Sequence, residues 1–132
     1  INHIQNIRFY CNDAGRLMQE MAESGQKADV VIMDPPRSGS TEEFMNAVKI
    51  LGPQKVVYIS CGPETLARDL QYFHKLGYQA DGGWGYDLFP GTEHVETVCL
   101  LSNRKSKPDT HVKLSLSMDD YYRIKEEGKN NQ

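Results

Sequence analysis

A cysteine and a carboxylate occupy two short motifs that could together perform covalent catalysis. Cys61 belongs to S-C-G-P-E-T-L-A-R-D (60–69), where an apolar strand is predicted to turn into a helix. Glu96 closes F-P-G-T-E-H-V-E (89–96), which leads into a later predicted strand. A thiol can add to an electrophilic carbon and a carboxylate can remove a proton. The pair therefore suits a reaction with a covalent intermediate.

The position of Cys61 favours a functional role. It follows the apolar segment Lys55–Ser60 and precedes a helix that Pro63 opens. Open α/β sheets bind ligands at the carboxyl ends of their strands, and the positive end of a helix favours a thiolate. The alternative is that Cys61 is a small buried hydrophobic residue. Taken alone, the position does not decide between the two.

A second motif, D-P-P-R (34–37), follows another apolar segment and should reach the same edge of the sheet. Its two prolines stiffen the backbone, so Asp34, Pro35 and Arg37 are candidates for the rim of a pocket that takes a planar ring or an amino group. The alternative is a rigid connector with an exposed arginine.

His94 and Glu96 are two positions apart on a predicted strand and should share one face. They could instead mark an exposed sheet edge. The full F-P-G-T-E-H-V-E string favours a turn that presents the carboxylate to a pocket.

Strands and helices alternate along the first hundred positions, which is typical of an α/β fold with parallel strands. The apolar patterns predict strands at Ile7–Tyr10, Ala28–Met33 and Lys55–Ser60, and helices at Ala14–Glu23, Thr41–Leu51 and Glu64–Leu76. The strands at Ala28–Met33 and Lys55–Ser60 are continuous apolar runs, so we expect both of them to be fully buried.

The carboxyl-terminal part breaks this alternation. Tyr78–Leu88 and Val95–Ser102 are predicted strands without a helix between them, so they should pair antiparallel. Gly82, Gly83 and Gly85 inside the first strand suggest a bulge or a twist. Residues 1–103 form one predicted domain. Residues 104–132 form a charged tail with a weak strand pattern around Leu114 and a weak helix at Met118–Glu127.

Composition narrows the functional classes. The net charge of −3 combines an acidic part, residues 1–101, with a basic tail, so the first part is a poor nonspecific ligand for phosphate backbone. Three cysteines without C-x-x-C spacing argue against a disulfide framework and a zinc site, and no metal is expected. Without an apolar run of membrane length or a leader, we expect a soluble, cytoplasmic protein.

In their order, the strings D-P-P-R, S-C-G-P-E-T-L-A-R-D and F-P-G-T-E-H-V-E resemble the RNA (uracil-C5) methyltransferase family, which makes 5-methyluridine in ribosomal or transfer RNA with S-adenosylmethionine. The similarity runs from about Asn6 to Asn103. It implies that Cys61 is the nucleophile, Glu96 the general base, and Asp34 part of the base and cofactor pocket. By the same resemblance, Asp13 lies where class I methyltransferases hold an acidic or polar residue near adenine.

The resemblance also implies that the chain is a carboxyl-terminal portion of a Rossmann-like class I catalytic domain. The family's first two strands, which lie between those at Ile7 and Ala28, are missing from it. The Ile7 strand should then pair directly with the Val30 strand, pair with another molecule in a homodimer, or leave the sheet edge, because unpaired buried backbone is costly. The isolated chain is expected to be inactive.

Two other classes of function stay open. A cysteine hydrolase or acyltransferase could use Cys61, His94 and Glu96 as nucleophile, base and orienting group, with His94 within hydrogen-bond reach of Cys61. A non-catalytic module that docks RNA or protein would not need Cys61 at all.

Overall fold

The computed structural model describes residues 3–105, which form one four-stranded sheet and three helices. In chain order these are α1 (Ala14–Glu23), β1 (Val30–Met33), α2 (Glu42–Leu51), β2 (Lys55–Ser60), α3 (Pro63–Lys75), β3 (Tyr78–Tyr86) and β4 (Glu96–Asn103). The strand and helix predicted beyond residue 105 lie outside the described residues. Within those residues, no helix has the length and apolar character needed to cross a membrane.

Local sequence signals explain where the helices begin. Asp13 caps α1 by accepting the amide of Arg16 at 2.9 Å, and Thr41 caps α2 by accepting the amide of Phe44 at 3.2 Å. Helix α2 ends at Gly52, which adopts the left-handed conformation. Helix α3 has Gly62 at its N-cap and Pro63 in its first turn.

The sheet has the order β1-β2-β4-β3. Strands β1 and β2 are parallel, whereas β4 is antiparallel to both of its neighbours. The predicted antiparallel pair is thus confirmed, and so is the bulge, which falls between Ala80 and Gly82. Placing β4 between β2 and β3 brings the start of β4 next to the end of β2.

The core lies between one face of the sheet and the helices α2 and α3. Alternate residues of β2, Val56 and Tyr58, are fully buried there against Met45, Val48 and Phe73 of the helices. Helix α1 packs on α2 through a smaller cluster around Ala22, Ala47 and Leu51. This arrangement fixes the carboxyl ends of β1 and β2 at one edge of the sheet.

Two predictions about the strands are wrong. Ile7–Tyr10 is not a strand: it is irregular, and Phe9 is 87% exposed. Strand β1 is not buried on both faces, because Val30 and Ile32 are exposed. Within residues 3–105, β1 pairs only with β2, so the edge that the segment was expected to join is unpaired, and the sheet face that carries Val30 and Ile32 is uncovered. The segment has left the sheet edge rather than paired with β1.

Candidate active site

The turn after β2 holds Cys61 in a fixed position. Ser60 ends the strand, and its hydroxyl accepts the amide of Gly62 at 3.1 Å while lying 3.0 Å from the Gly62 carbonyl. The Thr65 hydroxyl also lies 3.1 Å from that carbonyl. Cys61 is half-buried between these groups and the first turn of α3, with its thiol unpaired by any disulfide. The sulfur therefore stands at a rigid strand-to-helix junction.

Glu96 begins β4 at the same end of the sheet. The antiparallel ladder between β2 and β4 ends with Ser60 opposite Thr97. Cys61 follows Ser60 just beyond the end of β2, and Glu96 precedes Thr97 at the start of β4. Glu96 is half-buried and pairs on its other side with Tyr86 of β3. The thiol and the carboxylate therefore both lie just beyond the last β2–β4 pair, at the same end of the sheet.

The D-P-P-R motif reaches the same edge from β1. Because β1 is parallel to β2 and Met33 pairs with Tyr58, β1 ends two residues before β2 does. Asp34 follows it with an exposed carboxylate that accepts no hydrogen bond from the part of the chain that the structure describes. Pro35 is half-buried beside it. The Asp34 carboxylate is therefore available to a ligand.

Arg37 joins the three motifs. Its backbone carbonyl accepts a hydrogen bond from the Thr65 hydroxyl at 3.0 Å. Its guanidinium Nη2 lies 2.8 Å from Nδ1 and 3.0 Å from Nε2 of His94. Only one ring nitrogen of a neutral imidazole can accept, so this contact is one hydrogen bond to whichever nitrogen lacks a proton. The motifs at 34–37, 60–69 and 89–96 therefore meet in space.

His94 differs from its prediction in one respect. It does not lie on the strand with Glu96, because β4 begins at Glu96 and His94 belongs to the preceding loop. That loop is shaped by Thr92, whose amide and hydroxyl both donate to the Phe89 carbonyl, at 3.1 and 2.8 Å. The Thr92 hydroxyl in turn accepts the amide of His94 at 3.2 Å. The turn directs the imidazole towards Arg37.

The placement of His94 weighs against the cysteine hydrolase. That reaction requires the imidazole to accept a proton from the nucleophilic sulfur. Among residues 3–105, no hydrogen bond joins His94 to Cys61, and the imidazole lone pair is already directed at the Arg37 guanidinium. A Cys61–His94–Glu96 triad is therefore not formed.

The remaining predicted site residue, Asp13, has a structural task. One of its carboxylate oxygens caps α1 through the Arg16 amide, and the side chain is exposed. Its other carboxylate oxygen is free to accept from a ligand. Of the other two cysteines, Cys11 is exposed and Cys99 is buried, and burial raises the pKa of the Cys99 thiol above its ordinary value.

The sequence interpretation missed a buried carboxylate next to the site. Asp69 on α3 is fully buried and accepts hydrogen bonds from the Tyr58 hydroxyl and the Ser40 amide, each at 2.6 Å. Burial and, secondarily, this hydrogen bond raise the pKa of Tyr58 well above its ordinary value. A signal was present, since Asp69 falls between Leu66 and Phe73 at helical spacing on the apolar face of α3.

No group of three or more metal-ligating side chains occurs among the described residues. The candidate site consists of a thiol, two carboxylates and an arginine–histidine pair.

Comparison with protein families gives a match to the family described as tRNA (Uracil-5-)-methyltransferase over residues 11–104. An uncharacterized RNA methyltransferase of Streptococcus mutans is 43% identical over 101 residues, which cover 76% of this chain and 22% of the relative. One of Geobacter sulfurreducens is 40% identical over 109 residues, covering 83% and 22%. The chain thus spans about a fifth of the length of these relatives.

Two solved structures are also similar to this chain. The tRNA (uracil-54, C5)-methyltransferase of Pyrococcus abyssi, solved with S-adenosyl-L-homocysteine, matches with a TM-score of 0.52 and 41% identity, over 58% of this chain and 19% of that one. M1.HpyAVI, solved with SAM, matches with a TM-score of 0.60 but only 16% identity, over 80% and 60%. The second likeness concerns the fold alone.

Proposed function

Because the chain belongs to the tRNA (uracil-5-)-methyltransferase family, we propose that the whole protein methylates carbon 5 of a uridine in RNA through a covalent bond between Cys61 and the base. The observation that supports this most is the β2–β4 register, in which Cys61 follows Ser60 and Glu96 precedes Thr97, its partner in the last pair. A nucleophile and a proton acceptor at the same end of the sheet can perform the first and the last step of one reaction.

The first step uses Cys61. Carbon 5 of uracil is a weak nucleophile, so the thiolate adds to carbon 6 and converts the ring to an enolate whose electron pair is available at carbon 5. Cys61 lies directly before Gly62, the N-cap of α3. The strand-to-helix turn holds the sulfur so that little motion is needed when the base arrives.

The last step uses Glu96. After carbon 5 has gained its methyl group it still carries a proton, and the base remains bonded to Cys61. Glu96 removes that proton, the electron pair restores the double bond between carbons 5 and 6, and the thiolate leaves. Without a base at this place, the protein would remain attached to its RNA.

S-adenosylmethionine, when bound, supplies the methyl group. Asp34 fits this cofactor or the target base. Within residues 3–105 no group donates a hydrogen bond to its exposed carboxylate, which can therefore accept one from an amino group of a ligand. Asp13 can contribute only one carboxylate oxygen, because the other caps α1. Pro35 and the Arg37–His94 pair would border the ring and steady its oxygens.

Transfer RNA is the substrate class we propose, on the basis of the matching family and of what the Pyrococcus abyssi protein is said to act on. The acidic character of residues 1–101 implies that most of the affinity for RNA comes from other parts of the whole protein.

The test uses the full-length protein, S-adenosylmethionine and transfer RNA, with 5-methyluridine measured by mass spectrometry of digested nucleosides. Wild-type protein should form it, and Cys61→Ala should form none. Cys11→Ala, which removes an exposed cysteine elsewhere, is the matched control and should retain activity. Undiminished product from Cys61→Ala would contradict the proposal, and a parallel reaction with ribosomal RNA separates the two RNA classes.

A further inference from the structure

Asp69 is the one fully buried charged side chain among residues 3–105, and the proposed chemistry does not use it. A buried carboxylate is costly unless donors surround it. Here the donors are the Tyr58 hydroxyl and Ser40 amide on one oxygen and the guanidinium of Arg68, at 2.8 to 2.9 Å, on the other. These partners connect the core of the sheet to the loop after β1.

Arg68 extends the same connection. Its Nη2 donates to the carbonyls of Ser38 at 2.9 Å and Ser40 at 3.2 Å. The carboxylate therefore holds an amide of the loop, and the neighbouring guanidinium holds two of its carbonyls. We call Arg68 and Asp69 the loop clamp, and residues 37–40 the clamped loop.

Gly39 shows how closely the clamped loop fits. It is buried with φ of 80°, a conformation that favours glycine. A Cβ placed there would lie only 2.7 Å from a carboxylate oxygen of Asp69, and closer still to the Arg68 guanidinium. The loop can approach the clamp only because this position has no side chain.

The clamped loop begins at Arg37, which contacts His94 and lies three residues after Asp34. We propose that Arg68 and Asp69 are positioning residues: by fixing the loop backbone, they set the places of the Arg37 guanidinium and the Asp34 carboxylate relative to Cys61. This inference rests on the proposed function, because that function gives the positions of Arg37 and Asp34 their role in catalysis. The polar network itself is a feature of the fold.

A purely structural role for Asp69 makes a different prediction. In that case its replacement would lower stability, as any lost buried hydrogen bond does, without a specific effect on the site. The two roles are separated by comparing Asp69 with another buried polar group of the same core. Tyr78 offers this control, since its buried hydroxyl donates to the Pro53 carbonyl at 2.9 Å near the start of β3, away from the site.

The experiment compares Asp69→Asn with Tyr78→Phe in the full-length protein. Asp69→Asn should lower kcat for 5-methyluridine formation by about 10-fold to 100-fold, since displaced positioning groups have effects of this size. Tyr78→Phe should change it by less than about 3-fold at a temperature where both are folded. Hydrogen exchange at the Ser40 amide should accelerate only in Asp69→Asn.

Combination with Arg37→Ala gives a readout that a structural role would not alter. If Asp69 acts through Arg37, Arg37→Ala should lower kcat by a much smaller factor in the Asp69→Asn background than in the wild-type protein. Independent, multiplicative losses would overturn the proposal, as would Asp69→Asn activity equal to that of Tyr78→Phe. If Asp69→Asn does not fold, Tyr58→Phe replaces it, because it removes one hydrogen bond from the same carboxylate.

The outcomes also separate this inference from the proposed function. Wild-type protein without any 5-methyluridine activity would reject the proposed function and, with it, a positioning role in that reaction. The Ser40 amide would then still report whether the clamp holds the loop. Active wild type with an equally active Asp69→Asn would reject the clamp's role alone.

Discussion

Ser60 and Thr97 form the last pair of the β2–β4 ladder, and the residues that follow and precede them are Cys61 and Glu96. The pairing is a consequence of topology, because β4 enters the sheet between β2 and β3 and runs antiparallel to both. A parallel β4 would carry its first residue to the opposite edge of the sheet. The chemistry proposed for the pair depends on this reversal.

Replacement of Glu96 by glutamine should stop the reaction after methyl transfer. Glutamine has nearly the same shape but cannot take the proton from carbon 5, so turnover should fall by about 100-fold or more. Methylated RNA should remain bonded to the protein and appear as a slowly migrating band on a denaturing gel. Glu93→Gln, an exposed neighbour in the preceding loop, is the control. Normal release from Glu96→Gln would show that another group is the base.

Two glycines with the same backbone conformation should respond differently to alanine. Gly39 and Gly25 have φ of 80° and 76°, but only Gly39 faces the loop clamp, whereas Gly25 has open space around the added Cβ. Gly25→Ala should cost about 1 kcal/mol of backbone strain and leave methylation intact. Gly39→Ala adds a steric collision and should reduce both the melting temperature and activity. Equal effects of the two changes, measured by thermal melts and nucleoside analysis, would contradict the tight fit.

Stability should decline at alkaline pH. Burial raises the pKa of Cys99, Tyr58 and Tyr78 above the ordinary values of 9.0 for cysteine and 10.0 for tyrosine. The unfolded chain therefore releases these protons at a lower pH than the folded protein does. Their contribution is intact below about pH 9 and is lost as the pH rises beyond it.

Denaturant unfolding of the full-length protein between about pH 8 and pH 10.5 measures this effect. Tyr78→Phe should make the decline shallower, because phenylalanine has no proton to release. Tyr10→Phe, at an exposed position, should leave the slope unchanged. A slope that is unaffected by Tyr78→Phe would contradict the assignment.

Cofactor binding should need more than this chain. Of the contacts proposed for S-adenosylmethionine, residues 3–105 supply Asp34 and one oxygen of Asp13, which is less than a complete binding site would need. Calorimetry should therefore detect binding to the full-length protein and much weaker binding, or none, to residues 1–132 alone. Tight binding by residues 1–132 would contradict this expectation.

Much of the fold follows from local sequence. Helix α1 has the predicted bounds, and α3 begins at the proline that was expected to open it. The strand predicted at Ile7–Tyr10 failed because an apolar pattern cannot supply the neighbouring strand on which a β-strand depends. Val30 and Ile32 are exposed for a related reason: their apolar character does not say whether a second layer covers them.

The candidate site was also only partly predictable from the sequence. The motifs at 34–37, 60–69 and 89–96 identified side chains that the fold brings to one edge. The contacts between them were not predictable, since the Arg37–His94 pair joins residues 57 positions apart. Asp69 carried a readable signal in its helical spacing, but its partner Ser40 lies in a loop whose path depends on the packing of α3 against the sheet.

Trapping with 5-fluorouridine tests the bond between Cys61 and the base most directly. Fluorine at carbon 5 cannot be removed as the proton is, so the protein should remain attached to the RNA after methyl transfer. Full-length protein with S-adenosylmethionine and 5-fluorouridine-containing transfer RNA should give an adduct whose mass maps to the peptide containing Cys61, and Cys61→Ala should give none. An adduct on Cys11 or Cys99, or one that persists in Cys61→Ala, would contradict the account.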